Sequence, residues 1–287
     1  MKTDTLQRFM LERAQVRGEW LRLESTWQAL LARAPYPETV RKILGEALSA
    51  AVLLSATLKH DGALVLQVHG NGPIHLLVIQ ANAQGTVRGL ARWSHEPTDT
   101  SLAGLFGEAQ LVITVESHQT NERYQSLIAL EGDTLSQALE GYFARSEQLP
   151  TRLWLMADAD IAGGLLLQRL PGEYSDREDW QRVSLLLNTL TPEEFRHLDA
   201  EDTLFRLFHE EDVRVFTAQP ISFQCTCSRA RVEDMLRSLG QAEAEAAVQE
   251  QGKIEITCDF CNASYTLDAV DIGQLFKPTM PANDTLH

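Results

Sequence analysis

Apolar residues at Ile43, Ala47, Ala50, Leu54 and Leu58 follow one another at steps of four, three, four and four. That spacing predicts a buried helix running from Tyr36-Pro37-Glu38 to Lys59. Asp61-Gly62 ends it and the period changes: Leu64, Leu66 and Val68 alternate with less buried positions, Gly70-Asn71-Gly72-Pro73 makes a turn, and Ile74 to Ile79 is apolar again. The two runs read as a hairpin. Further strand-like runs at Thr86 to Trp93, Gln110 to Val115 and Tyr124 to Leu130 are bounded by Gly, Asn, Asp or Ser and extend it into a large antiparallel sheet. Gly132-Asp133-Thr134 opens a helix through Leu135, Leu139 and Phe143, which Leu149-Pro150 closes ahead of strands at Arg152 to Met156 and Leu165 to Leu170.

Beyond Ser175 short helices replace strands. Val183, Leu186, Leu187 and Leu190 recur at helical spacing, and Thr191-Pro192-Glu193-Glu194 is a capping box with proline at the first helical position. A third helix from Ala200 to His209 carries Leu204, Leu207 and Phe208 before Glu210-Glu211-Asp212. Helices this short are marginal alone and need a surface to receive their apolar faces. The expected fold class is α+β: an N-terminal antiparallel-sheet domain with packed helices over 1–174, a helical connector over 175–224, and a small C-terminal zinc-binding domain over 225–287. The pattern leaves open whether the connector is a releasable segment or a permanently docked helical subdomain.

Composition narrows the function. The 44% hydrophobic and 23% charged content of the 287 residues is that of a folded globular protein. Met1 to Arg8 holds no apolar run to serve as a signal peptide, and no later run reaches the roughly 18 apolar residues of a spanning helix, so a cytoplasmic protein is expected. Lasting disulfides are not expected there, and clustered cysteines read as metal ligands or redox thiols. A net charge of -15 opposes phosphate backbones and anionic lipid, so neither nucleic acid nor membrane is an expected partner.

All four cysteines lie in two pairs, Cys225-Thr226-Cys227 and Cys258-Asp259-Phe260-Cys261, with 30 residues between them. Four thiolates on two short turns suit one tetrahedral zinc ion. Between the pairs, Ser228 can cap a helix bearing Val232, Met235, Leu236 and Leu239 that Gly240 ends. Lys253 to Thr257 and Ser264 to Leu267 form a hairpin with Asn262 in its turn, Ile272, Leu275 and Phe276 fall on a last helix, and the tail from Lys277 onward is expected to be disordered. With some 63 residues and a thin apolar inventory, this segment needs metal binding, on the order of 10 kcal/mol for structural zinc, to fold.

A site closed by four cysteines has no open position for water, which disfavours hydrolysis. Its thiolates remain oxidisable, and sulfenic acid or disulfide formation destroys their ligand ability. On the residues alone the site is an inert structural zinc, a redox switch, or an iron–sulfur or other centre. The main rival function is a zinc-ribbon module for nucleic acid or protein interaction. From Cys225 on, five Lys or Arg face ten Asp or Glu, with no basic stripe, which opposes nucleic acid. Strands flank Cys258 and Cys261 where a thiol oxidoreductase opens a helix, so no enzyme is expected. The histidines, His69, His75 and His118 among them, have no ligand spacing, and Gly163-Gly164 lacks phosphate-loop spacing and reads as tight backbone packing.

Over nearly its whole length the chain resembles the 33-kDa heat-shock protein family of redox-regulated holdases. Val16-Arg17-Gly18-Glu19, Gly70-Asn71-Gly72-Pro73, Glu122-Arg123-Tyr124-Gln125, Ser146-Glu147-Gln148-Leu149-Pro150-Thr151, Gly163-Gly164 with Gln168, and above all the four cysteines carry the resemblance. It implies a reduced, inactive form with one zinc on Cys225, Cys227, Cys258 and Cys261. It also implies that oxidation joins Cys225 to Cys227 and Cys258 to Cys261, releases zinc, loosens the C-terminal domain and connector, and yields a homodimer that holds unfolding clients without ATP. Cellular thiol reductants would reset it. Release of the connector would expose Leu186, Leu190, Leu204 and Phe208 to clients. Ser126 departs from the family, where glycine is expected.

Overall fold

In the computed structural model the described residues are 4–58, 61–117, 119–120, 122–171 and 177–277. Lys59, His118, the first expected domain boundary near 174 and the tail 278–287 lie outside them. The chain divides into two compact units, 1–224 and 225–287.

In the larger unit, β1 (Thr5–Leu11) and β2 (Val16–Leu23) lead through a short helix, α1 (Ser25–Leu31), into α2 (Glu38–Thr57). A meander of β3 (Ala63–Gly70), β4 (Ile74–Asn82) and β5 (Thr86–Trp93) follows, then α3 (Leu102–Phe106), β6 (Ala109–Glu116) and β7 (Arg123–Ala129). Helix α4 (Leu135–Tyr142) precedes the hairpin of β8 (Thr151–Ala157) and β9 (Ala162–Arg169). Helices α5 (Arg177–Leu187), α6 (Pro192–His197) and α7 (Ala200–Phe208) come next, and the short strands β10 (Val213–Val215), β11 (Gln219–Pro220) and β12 (Ser222–Phe223) bring the chain to Cys225.

The strands form two sheets: those of the expected antiparallel sheet, β3 to β7, stay together in one, while β8 and β9 join β1 and β2 in the other. The first runs β10-β1-β2-β9-β8 with β11 also on β1; the second runs β12-β5-β4-β3-β6-β7 and is antiparallel except where β12 lies parallel to β5. Helix α2 packs on β2, β8 and β9 of the first sheet and on β3, β4 and β5 of the second. This explains why its buried residues surround the helix, and why Gly45 has no room to spare: a Cβ there would come within 2.3 Å of the Ala157 Cβ. Covered on both faces, β2 shows no polar–apolar alternation, so β1 and β2 leave no period-2 signal in the sequence.

On its outer face the first sheet receives helices α5, α6 and α7. Val183, Leu187, Leu190, Phe195, Leu204, Leu207 and Phe208 pack against Phe9, Trp20, Met156, Leu165 and Leu167, with Leu186 partly buried at the margin. Thr191 caps α6 in the expected capping box, accepting from the Glu194 N–H at 3.2 Å. Gly163 seats that helix: a Cβ would lie 2.7 Å from the Phe195 ring and 2.3 Å from the Leu21 carbonyl oxygen, so the glycine pair serves close packing. Ser126, the family departure, sits in β7 with φ outside the left-handed region, and its hydroxyl accepts from Tyr142 Oη at 2.9 Å.

Glu19 lies on the α2 side of β2, opposite Arg8 on β1, and one carboxylate oxygen is buried without a hydrogen-bond partner. Burial pushes its carboxyl from 4.5 up to about 7, against the pull of Arg17 and Arg8. A folded-state value above the unfolded one means that this group's stability contribution is complete below about 4.5 and is lost as pH rises through 7. Glu19→Gln is therefore expected to stabilise the protein at pH 8 by on the order of 3 kcal/mol, the gap shrinking to about 1 kcal/mol at pH 5. Denaturant melts at the two pH values measure it; an equal gap at both would mean that Glu19 folds as a paired carboxylate.

Candidate metal centre

The smaller unit is built of α8 (Arg229–Leu239), α9 (Gln241–Gln251), the hairpin of β13 (Ile254–Thr257) and β14 (Ser264–Leu267), and α10 (Ala269–Leu275). Ser228 caps α8 through the Arg231 N–H, as its position predicts, and glycines with positive φ, Gly240 and Gly252, close α8 and α9. Helix α9 has no counterpart in the sequence reading. It buries only Ala244 and Val248, one turn apart, and its Ala- and Glu-rich composition is what could have found it. Among the described residues of the unit, the fully buried apolar side chains are Val232, Leu236, Ala244, Val248, Leu267 and Ile272, with Ile254, Ile256, Tyr265, Leu275 and Phe276 partly buried against them.

Against so small a core stand the four cysteines, all partly buried thiols. Their sulfurs lie within 4.8 Å of one another, with Cys225 to Cys258 at 3.6 Å and Cys227 to Cys261 at 3.3 Å. The edge of a tetrahedron of sulfurs around zinc is about 3.8 Å for bonds of about 2.3 Å, so the donor set fits that ion with little adjustment. Among the described residues no other group of His, Cys, Asp and Glu converges in this way, and no histidine joins it.

The backbone prepares the second pair. Cys258 opens a tight turn in which its carbonyl accepts from the Asn262 N–H at 2.8 Å, while its own N–H donates to the Ala263 carbonyl at 2.9 Å. Asn262 takes the left-handed φ of 59° that this turn needs. The N–H groups of Phe260 and Cys261 point to the Cys258 sulfur, and that of Ala263 to the Cys261 sulfur. Burial raises the Cys258 thiol, and burial with the crowding of neighbouring thiols pushes Cys261 up to about 12. Four sulfurs this close are thus stable as thiolates only around a cation. Tyr265, unremarked in the sequence, donates its hydroxyl to the Cys227 sulfur at 3.2 Å; the bond to this sulfur pushes the phenol up to about 12.

Residues 4–268 match the family model described as Hsp33 protein. The chain belongs to the Hsp33 family. Its Hsp33 relatives include the 33 kDa chaperonin of Nitrosococcus oceani, 46% identical over 286 residues that cover 99% of each chain. The 33 kDa chaperonin of Chromobacterium violaceum is 47% identical over 275 residues, 95% of this chain and 94% of the other. The fold is similar to the crystal structure of the 33 kDa chaperonin of Thermotoga maritima, with a TM-score of 0.82 at 24% identity over 95% of this chain and 97% of that one. As an Hsp33 the chain is a redox-regulated holdase chaperone, not an enzyme, and it binds client proteins. Its four-cysteine cluster is the zinc-type site of that family. No helix among the described residues is long and apolar enough to cross a membrane.

Proposed function

We propose that Cys225, Cys227, Cys258 and Cys261 hold one zinc ion in the reduced, inactive protein, and that their oxidation to two disulfides switches the holdase on. The observation that carries this reading is the contrast between four converging sulfurs and the small core beside them, six buried apolar side chains among the described residues. Zinc supplies the cation that keeps all four thiols deprotonated and ties two turns 30 residues apart into one fold.

Two thiolates that form a disulfide give two electrons to the oxidant, a peroxide being reduced to water, and both sulfurs then lose their affinity for metal. Which sulfurs pair decides the outcome. Cross-pairing of Cys225 with Cys258 and Cys227 with Cys261 would close loops of over thirty residues and stabilise the unit by roughly 3–4 kcal/mol in place of the metal. Pairing of Cys225 with Cys227 and Cys258 with Cys261 encloses only one and two residues and ties nothing together. The second connectivity is the one the family resemblance implies, it leaves the two turns untied, and it is the one proposed. Fraying then enters the chain at Cys225, passes the two- and three-residue strands β12, β11 and β10, and reaches α7.

On this reading the chain works as a core over 1–174, a releasable connector over 175–224 and a switch over 225–287. It acts in the cytoplasm as a homodimer once oxidised, and cellular thiol reductants return it to the resting form. The test follows zinc with a chromophoric chelator during peroxide treatment at an unfolding temperature, alongside aggregation of a model client. Release of one zinc per chain together with onset of client protection, both reversed by dithiothreitol with zinc, is the expected result. Client protection that is the same when all four cysteines are serine would sink the proposal.

A further inference from the structure

Among the described residues, β7 is the long, unblocked edge of the two large sheets. Strand β10 has three residues and β12 two, while β8 is blunted by Glu140, whose carboxylate accepts the Leu153 N–H at 2.8 Å and pairs with Arg152 at 2.6 Å. Strand β7 ends the second sheet with seven residues, no proline and no lysine, and it carries two of the most exposed large apolar side chains, Tyr124 (65%) and Leu127 (69%). Such an edge is a template for another strand.

Its backbone polarity is set by one bond. The Ser117 N–H donates to the Glu122 carbonyl at 3.0 Å in the β6–β7 register, so even-numbered residues of β7 turn their backbone groups toward β6. The N–H and C=O groups of Arg123, Gln125, Leu127 and Ala129 therefore point to the open edge. From this we infer that β7 pairs antiparallel with β7 of a second copy of the chain, Leu127 facing Leu127 across the two-fold axis.

The strand is self-complementary in that register. Gln125 meets Ala129 and Arg123 meets Glu131 of the other copy, so each end of the ladder closes with opposite charges, while Tyr124 comes to lie against Leu130. A shift of one residue would set Glu122 against Glu131. The present partners of the two charged residues, Glu116 for Arg123 at 3.8 Å and Arg145 for Glu131 at 2.6 Å, form exposed ion pairs that are cheap to exchange. The inference rests on the homodimer of the proposed function and gives it a surface.

Sedimentation of the oxidised full-length chain tests it. Leu127→Lys sets two like charges across the axis, and Leu127→Pro removes an N–H that points to solvent in the single chain and leaves the β6 ladder intact. Each is expected to weaken the dimer at least tenfold with zinc content and thermal melting of the reduced form unchanged. Arg123→Glu should weaken it as well, and adding Glu131→Arg should restore it, a rescue that no merely structural role produces. A wild-type chain that stays monomeric while protecting clients would remove the dimer itself. A wild-type dimer that Leu127→Lys and Leu127→Pro leave intact overturns only the β7 surface, and loss of client protection in those intact dimers would reassign the edge to extended client segments.

Discussion

Stripping zinc from the reduced protein is expected to unfold residues 225–277 while the two sheets of the larger unit stay folded. The six buried apolar residues among the described part of the small unit make a core smaller than an independent domain of its length needs, and structural zinc contributes on the order of 10–16 kcal/mol to such folds. Cys261→Ser is expected to act as chelation does. It leaves three sulfurs and a hydroxyl that is a poor zinc ligand at neutral pH, and it puts that neutral hydroxyl in place of the sulfur to which the Ala263 N–H points. Hydrogen exchange read by mass spectrometry distinguishes the units. Peptides from α8, β13 and α10 should lose protection within seconds of chelation, whereas α2, enclosed by both sheets, should keep it. Persistent protection of α8 without metal would show that Val232, Leu236 and their neighbours suffice, and the cysteines would then lack leverage over the fold.

How far the sequence discloses this arrangement depends on where each interaction is written. Helix α2 and the strands β3 to β7 are legible because each repeats its period over several residues, and the cap at Thr191 because it lies within four adjacent residues. The cysteine pairs are legible because their chemistry is in the side chains and their spacing is that of metal knuckles. Strands β1 and β2 are silent since burial on both faces erases alternation, and β10 to β12 are too short to show a period. The partition into two sheets is equally silent, because it follows from α2 being wide enough to cover both, a tertiary fact.

Arg22 is the least legible of the functional residues. From β2 its guanidinium donates to the backbone carbonyls of Phe195 at 3.2 Å, Leu198 at 3.0 Å and Arg196, the open end of α6, and it pairs with Glu24 at 3.1 Å. Carbonyls carry no residue identity, so no motif 170 residues away announces the bond. It satisfies the acceptors a helix leaves at its C-terminus and places a positive charge where the helix dipole is negative. Beside it Phe195 is fully buried between Trp20 and Trp154, with ring centroids 5.7 and 5.0 Å away, over the gap that Gly163 leaves.

Phe195→Ala is accordingly expected to release the connector without oxidant. A buried phenylalanine truncated to alanine costs about 3–5 kcal/mol, and α6, six residues long, has no stability of its own to absorb the loss. Because Leu190, Leu204, Leu207 and Phe208 share one cluster with Phe195, their burial is coupled to it, and undocking α6 exposes the apolar faces of α5 and α7 as well. The reduced, zinc-loaded variant should therefore exchange its amides over 177–208 at near-unfolded rates and suppress aggregation of a thermally unfolding client before any peroxide is added. Arg22→Met, which keeps the aliphatic stem and removes the donors from the end of α6, should shift both readouts in the same direction by a smaller amount. Zinc content separates this route from the first: it should remain one per chain in both variants. If Phe195→Ala frees the connector by exchange and still holds no client, the surface of α5 to α7 is not the client site, and activation must draw on apolar surface elsewhere in the chain.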